Sequence, residues 1–317
     1  MSLQAPLSPQ SELWRKQYRQ RRYLEHATAA GLEDRTRYTV ENAYTLLESG
    51  KLGLRRPENG ERDWVELFTH CHEEYRLRGE SFPDGFLTGA KVPRATFPNP
   101  PPMVAALKKA GCPRPGTFLV RLGRKEHMRD LHEHGRLRIS AASSYSDPSL
   151  NPAIRDNELE ISTVSLKSEV RIQALDRQSG KPKGLIVPLG DVTRTRSSTS
   201  DYYVYCLSGV LDFRLFGDFG YDACVILTSP DAFVQRLFKA ASAALPGWMG
   251  ASEPVRYLDP YRSKDAQMDV YFSKHHRYWY QREYRFAWLP PKAKAPPLPP
   301  AFLELGDLSD ISTLIVA

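Results

Sequence analysis

From Thr117 to the end of the chain, strand-like runs follow one another with few helices between them. That order limits the fold more than any other feature of the sequence. The runs are TFLVRLG, RLRIS, ELEISTVSL, EVRIQAL, GLIVPL, DYYVYCLS, DACVILTS and QREYRFAWL, each enriched in β-branched or aromatic residues. Two helical segments interrupt them: KEHMRDLHEHG, closed by Gly135, and PDAFVQRLFKAASAAL, with Pro230 near its first turn. A doubly wound sheet needs strand and helix to alternate, so runs of strands argue against a Rossmann-type sheet. Upstream the pattern is helical. SELWRKQYRQRRYLEHATAAG opens at Ser11 and stops at Gly31, and TVENAYTLLESGKLG opens at Thr39 and stops at Gly50. ERDWVELFTHCHEEYRLRG sets Trp64, Leu67 and Phe68 at helical spacing. The expected fold class is therefore α+β. Residues 1–90 form a helical N-terminal region with no strand signal. Residues 91–116 form a Pro-rich linker that includes one short helix ending at Gly111, and 117–317 form a mixed, mainly antiparallel β-sheet domain.

A chain of 317 residues that is 41% hydrophobic can build a real core. Its net charge of +7 is unevenly spread. Residues 1–90 hold 13 Lys/Arg against 14 Asp/Glu, while the remainder holds 31 against 23. A basic second half suits an anionic partner, either nucleic acid or a phosphate-bearing cofactor. The four cysteines show no CxxC spacing, which excludes a zinc ribbon or a redox pair and fits a reducing cytosol. Cys206 and Cys224 read as small buried hydrophobes. There is no apolar leader and no run of 18 apolar residues, so the expectation is a cytoplasmic protein without a membrane span. His70 with His72, and His132 with His134, stand at i, i+2 on helices, where they face apart; no metal is expected. No GxGxxG or Walker loop is present.

Three places can carry chemistry. Arg121 lies in TFLVRLG, opposite the face made by Phe118, Val120 and Leu122. An Arg in an apolar strand needs a carboxylate or a phosphate, unless it sits at a rim. The second place is RSSTSDYYVYCLS, with Ser198, Thr199 and Ser200 before a strand and Ser208 at its far end; these are turn formers or ribose-binding hydroxyls. The third is YWYQREYRFAW. Read as a strand, it puts Gln281, Glu283 and Arg285 on one face and Tyr280, Tyr284, Phe286 and Trp288, with Arg282, on the other. Gln281 and Glu283 would then stand about 7 Å apart. The bland alternative is a Glu–Arg pair on a wet sheet face. Two further stretches count. SSYSDPSLNPAIRDNELE carries Tyr145, Asp147, Asp156 and Glu158, and KHHRYWYQRE mixes Lys274, His275, His276 and Arg277 with rings, as single-strand binders do.

The order of Arg121, a strand-borne serine and Gln281-x-Glu283 resembles the arginine–serine–glutamate class of ADP-ribosyltransferases over roughly residues 117–290. The middle motif falls to Ser208, or to Ser198 or Ser200. In that class a Gln two residues before the Glu is typical of enzymes that modify asparagine or nucleic-acid bases, and a Glu there of arginine-specific enzymes. The stretch HMRDLHEHGRLRISAASSYSDPSLNPAIRDNELEIS also resembles a bacterial family associated with mobile elements and phage defence, which points to the transferase toxin of a toxin–antitoxin system. The resemblance implies a sheet domain of ADP-ribosyltransferase type with NAD as substrate and no metal. Glu283 would hold the nicotinamide ribose and stabilise its oxocarbenium ion, and Gln281 would orient the acceptor. Arg121 would bind the NAD phosphates or ribose, and Tyr145 would stack on nicotinamide. The acceptor would be an RNA or DNA base, or else a protein or water (NAD glycohydrolase), and an antitoxin or chaperone is a possible partner. Two rivals come from other classes. One is a metal-dependent nuclease built on Asp156, Glu158 and Lys167; the other is a non-catalytic nucleic-acid-binding regulator in which Glu283 only pairs with Arg285 or Arg282.

Overall fold

The structure is a computed structural model that describes residues 9–47, 51–55, 64–82, 116–263, 268–293 and 298–316. The Pro-rich stretch 91–116, apart from Gly116, lies outside the described residues, as do its short helix and Gly50. The N-terminal elements are α1 (Pro9–Arg21), α2 (Ala29–Ala43), β1 (Tyr44–Leu46), β2 (Leu52–Leu54) and α3 (Trp64–Arg78). Helix and strand boundaries differ here from the sequence expectation. Gly31 does not stop a helix. It sits in the first turn of α2, where Thr28 caps the helix by accepting from the Gly31 N–H at 3.1 Å. The second expected helix is the end of α2 followed by a hairpin, in which Tyr44 pairs with Leu54 and Leu46 with Leu52. Tertiary contacts override the helical pattern there. The Arg214 guanidinium takes the Glu41 and Tyr44 carbonyls, and the Thr45 hydroxyl donates to Asp212.

The second part begins with β3 (Leu119–Gly123), α4 (Lys125–His134) and β4 (Arg136–Ala141). Gly135 ends α4 at φ 64°, and a Cβ there would stand 2.0 Å from the Gly306 carbonyl oxygen, so only glycine fits. Then come β5 (Glu160–Ser165), β6 (Ile172–Leu175), β7 (Pro182–Ile186), β8 (Val192–Ser197) and β9 (Tyr203–Ser208). They are followed by α5 (Phe213–Phe219), β10 (Ala223–Leu227), α6 (Pro230–Ala244), β11 (Met249–Pro254), β12 (Arg256–Leu258) and β13 (Ser273–His275). The chain closes with β14 (Glu283–Leu289), β15 (Ala301–Glu304) and β16 (Ser312–Val316). The architecture is α+β, with a mainly antiparallel sheet of eight strands among the described residues. Six of them run in the order β11-β14-β9-β3-β10-β16, while β4 pairs with both β9 and β15.

One face of this sheet packs Leu119, Tyr205, Val225, Phe286 and Trp288 against Phe233 and Leu237 of α6. The other face packs Val120, Leu122, Cys224 and Ile226 against Phe213 and Phe216 of α5 and Leu46 of the hairpin. The helical region thus shares the core of the sheet domain. It is also fastened by a buried bidentate pair, Arg35 to Asp259 at 3.0 and 2.8 Å, and by Arg55 to Asp212 at 2.6 Å.

The detail that positions the site is a gap in the ladder. β3 and β9 pair only at Val120–Ser208, because the start of β9 is taken by β4 through Ser140–Val204 and Ala141–Tyr203. The sheet therefore splits between β3 and the first part of β9. At the split, Arg121 spans the strands with its side chain, donating to the Cys206 carbonyl at 2.7 Å.

Candidate active site

The opening of β14 is not the strand that the aromatic alternation suggests. Residues His276–Gln281 form a 3-10 turn, Arg282 follows in the left-handed region at φ 46°, and the strand starts at Glu283. A non-glycine residue there costs roughly 1–2 kcal/mol. The Arg282 guanidinium lies 3.6 Å from the centre of the Trp279 ring, and the Arg282 backbone N–H donates to the Trp279 carbonyl at 3.2 Å. Gln281 and Glu283 are consequently not strand neighbours on one face; the turn brings both into one pocket. Tyr280 also leaves its expected place beside Phe286 and Trp288 and packs on the opposite side of the sheet with Phe213 and Phe216. The turn is held from above by α2. Asn42 donates to the Arg277 carbonyl at 2.8 Å and accepts from the Tyr280 N–H at 3.0 Å.

The face that carries Glu283 and Arg285 is not wet. Glu283 is 6% exposed and Arg285 0%. Burying two such groups demands charge partners, and a closed ring of two cations and two carboxylates supplies them. Lys274 Nζ donates to Glu283 Oε2 at 3.1 Å, and Arg285 Nε donates to Glu283 Oε1 at 2.7 Å. Glu158 closes the ring, with Arg285 Nη2 at 2.7 Å and Lys274 Nζ at 3.3 Å. The Arg285 Nη2–Glu158 contact is a charge contact only, since its N–H direction is poor for a hydrogen bond. Burial on its own would raise the Glu283 carboxyl, but the Arg285 and Lys274 charges outweigh it and hold the group well below the carboxylate range. The Lys274 ammonium is lowered by burial, and the Glu283 and Glu158 charges more than reverse this, so it stays protonated.

All five residues singled out as a site line one pocket: Arg121, Tyr145, Ser208, Gln281 and Glu283. The strands that carry three of them are neighbours. Arg121 lies on β3, Ser208 on β9 and Glu283 on β14, with Glu283 directly opposite Ser208 in the ladder. Arg121 stacks on Tyr205 at 4.7 Å and has no carboxylate partner among the described residues, so its charge is available to an anion. The Ser208 hydroxyl lies 2.8 Å from the Val210 and Gln281 carbonyls and ties the end of β9 to the turn. The Gln281 amide is already engaged. Nε2 donates to the Ala153 carbonyl at 2.7 Å, and Oε1 lies 3.4 Å from Lys274 Nζ. Gln281 thus fastens the loop 147–157 over the pocket. Asn151 assists by donating to the Asp218 carbonyl at 2.7 Å, as does Tyr278 by donating to the Arg155 carbonyl.

Other candidates fall elsewhere. Ser198 and Ser200 occupy the turn before β9 and bond backbone carbonyls, Ser198 to Ser200 and Ser200 to Asp201. The three nuclease candidates do not converge, because Glu158 serves the ring and Lys167 lines neither the pocket of Glu283 nor the one beside Asp156. Burial and the nearby Glu158 push the Asp156 carboxyl up to about 6, against the pull of Lys274 and Arg285. Among the described residues no group of three or more His, Cys, Asp or Glu side chains is arranged to hold a metal. The basic-aromatic mix KHHRYWY is not an exposed strand-binding loop: Lys274, His276, Tyr278, Trp279 and Tyr280 are all buried. Burial, with Arg277 nearby, pushes His275 down to about 3. Cys206 lines the pocket, and burial raises its thiol, so it is no activated nucleophile.

Sequence reasoning missed Lys274 as a member of the site. Its neighbours read as a basic run, and only the parallel pairing of β13 with β12 turns it inward. Comparison with family models, curated proteins and solved structures gives no match to this chain. No helix among the described residues is long and apolar enough to cross a membrane.

Proposed function

We propose that the chain is an NAD-dependent mono-ADP-ribosyltransferase that transfers ADP-ribose to a base of RNA or DNA and acts in the cytoplasm as a toxin-like or antiphage effector. The observation that carries this reading is the adjacency of three strands, β3 with Arg121, β9 with Ser208 and β14 with Glu283, around one pocket that also takes Gln281 and Tyr145. In the reaction the bond between nicotinamide and the ribose C1′ breaks, nicotinamide leaves with the bonding electrons, and the acceptor attacks the oxocarbenium carbon and releases its proton to water. Glu283 supplies a fixed anion for that cation and an acceptor for the ribose 2′-hydroxyl. Removing such a preorganised group costs on the order of a hundredfold or more in rate. Lys274 and Arg285 keep Glu283 ionised and aimed. Arg121, lacking a carboxylate partner among the described residues, suits the NAD phosphates. Tyr145, half-buried at the pocket wall, offers a ring to nicotinamide. For Gln281 to meet an acceptor, its bond to Ala153 must open; until then it holds the loop.

A second reading has its own observation. The closed ring of Glu283, Arg285, Glu158 and Lys274 is what a purely structural cluster in a non-catalytic regulator would show. One experiment separates the two readings. The protein and its Glu283→Gln variant are incubated with labelled NAD and separate RNA, DNA and cell-extract pools, with and without magnesium. Label on nucleic acid with the parent only, independent of magnesium, supports the transferase. Label on protein alone moves the acceptor to protein, and nicotinamide release without label makes the chain a glycohydrolase. No NAD consumption by either form sinks the proposal.

A further inference from the structure

β5 pairs with β8 and β6 pairs with β7, both antiparallel, and neither pair joins the eight-stranded sheet. Every residue of β7 is exposed, and so is every residue of β8 after Val192. The ribbon is rooted at Glu160, two residues past the Glu158 that lines the pocket. The β5–β8 pair is anchored by Ile161, buried against Leu258 and Met268, and by Arg196, which donates to the Met268 carbonyl at 2.7 Å. Beyond that root the ribbon exposes aliphatic side chains: Leu175, Leu185, Ile186, Val187 at 82% and Leu189 at 100%. Such a patch marks an interaction surface.

Charge narrows the partner. Between Leu166 and Ser197 stand seven Lys/Arg against three Asp/Glu. Two of the acids are already engaged, Glu169 by Arg21 at 2.8 Å and Asp176 by Lys183 at 2.9 Å. Lys167, Arg171, Arg177 and Lys181 have no ion-pair partner among the described residues. The solvent face of β8 adds the hydroxyls of Thr193 and Thr195, the latter bonded to Ser162 at 2.7 Å. Lys, Arg, Ser and Thr are the usual phosphate-contacting set. The stretch 166–197 contains no Phe, Tyr or Trp, so it lacks the stacking platform that single strands need. A two-stranded ribbon fits the major groove of B-form DNA, whereas the major groove of A-form RNA is too deep and narrow to read.

We propose that residues 166–197 form an arm that docks double-stranded DNA. This rests on the nucleic-acid reading of the acceptor and names the polymer that the arm engages. The test is fluorescence anisotropy of the full chain with a labelled DNA duplex of about 20 base pairs, an RNA duplex and both single strands, from about 50 to 200 mM salt. The comparison is a variant carrying Lys167→Gln, Arg171→Gln, Arg177→Gln and Lys181→Gln. The expected result is tightest binding of the DNA duplex by the parent, and a log–log salt slope smaller by about 3–4 in the variant. An unchanged slope overturns the proposal. So does preference for RNA or single strands, or no nucleic-acid binding, as an arm built for an acidic polypeptide would give. Nicotinamide release from NAD without nucleic acid is read in parallel and should match the parent in the arm variant. If no NAD is consumed yet the slope falls, the transferase reading fails and the docking arm stands; the reverse pattern removes the arm alone.

Discussion

The ring around Glu283 and the arm of residues 166–197 use the same kinds of charged side chain in opposite ways. In the ring, two cations and two carboxylates are buried and each meets two partners. In the arm, four cations stand in water with no ion-pair partner among the described residues. Dehydrated charges are strongly coupled and fix geometry; hydrated ones contribute almost nothing to stability and remain available to a polyanion. A net charge of +7 does not say which cations belong to which group.

Glu283→Gln should break the ring side of this contrast most. It leaves Lys274 and Arg285 to share Glu158, so a loss of about 3–5 kcal/mol in urea unfolding is expected, with labelled transfer from NAD falling about a hundredfold or more. Lys274→Met leaves two carboxylates on one guanidinium and should cost about 3 kcal/mol. Its pH dependence carries a defined sign. The depressed carboxyl of Glu283 contributes stability above its unfolded value, about 4.3, and loses it as pH falls through the lower folded value. Without Lys274 that loss should begin at higher pH, measured by unfolding midpoints between about pH 3 and 7.

Asn42→Ala tests whether the helical region sets the site. It removes the two bonds to the turn that carries Gln281, and should cost about 2 kcal/mol as well as lowering transfer from NAD. Asp156→Asn should act in the opposite direction. A carboxyl raised to about 6 favours the folded state less and less as pH climbs from about 4 to 6, so the amide should stabilise the protein by about 1–2 kcal/mol at pH 7 and change little near pH 4. The smallest effect belongs to the arm. Its four-fold Gln variant should unfold within about 0.5 kcal/mol of the parent while its salt-dependent DNA binding changes. A large loss of stability would place those cations with the ring rather than apart from it.

Much of the fold class was legible because pattern is local. Strands in runs and the αL stop at Gly135 follow from residue spacing alone. The hairpin after α2 was not legible, because Arg214 and Asp212, far along the chain, decide where the helix ends. The same division runs through the site. Arg121, Gln281 and Glu283 were singled out through a family resemblance that left the serine open among Ser198, Ser200 and Ser208, and the aromatic alternation misassigned Gln281 and Tyr280, since a left-handed Arg282 resets the chain direction. Lys274 and Glu158 were noticed only as a strand-binding cation and a nuclease carboxylate, because their pairing with Glu283 and Arg285 exists only once β13, β14 and the loop before β5 are assembled.

What the sequence determined by itself is the α+β class, the strand that bears Arg121 and the pairing of an amide with a carboxylate near the end of the chain. The tertiary structure decided which charges lose their water. Burial is a property of the assembled sheet, turn and helical cover, and a charge becomes strong only where the surrounding protein has replaced its hydration with fixed partners.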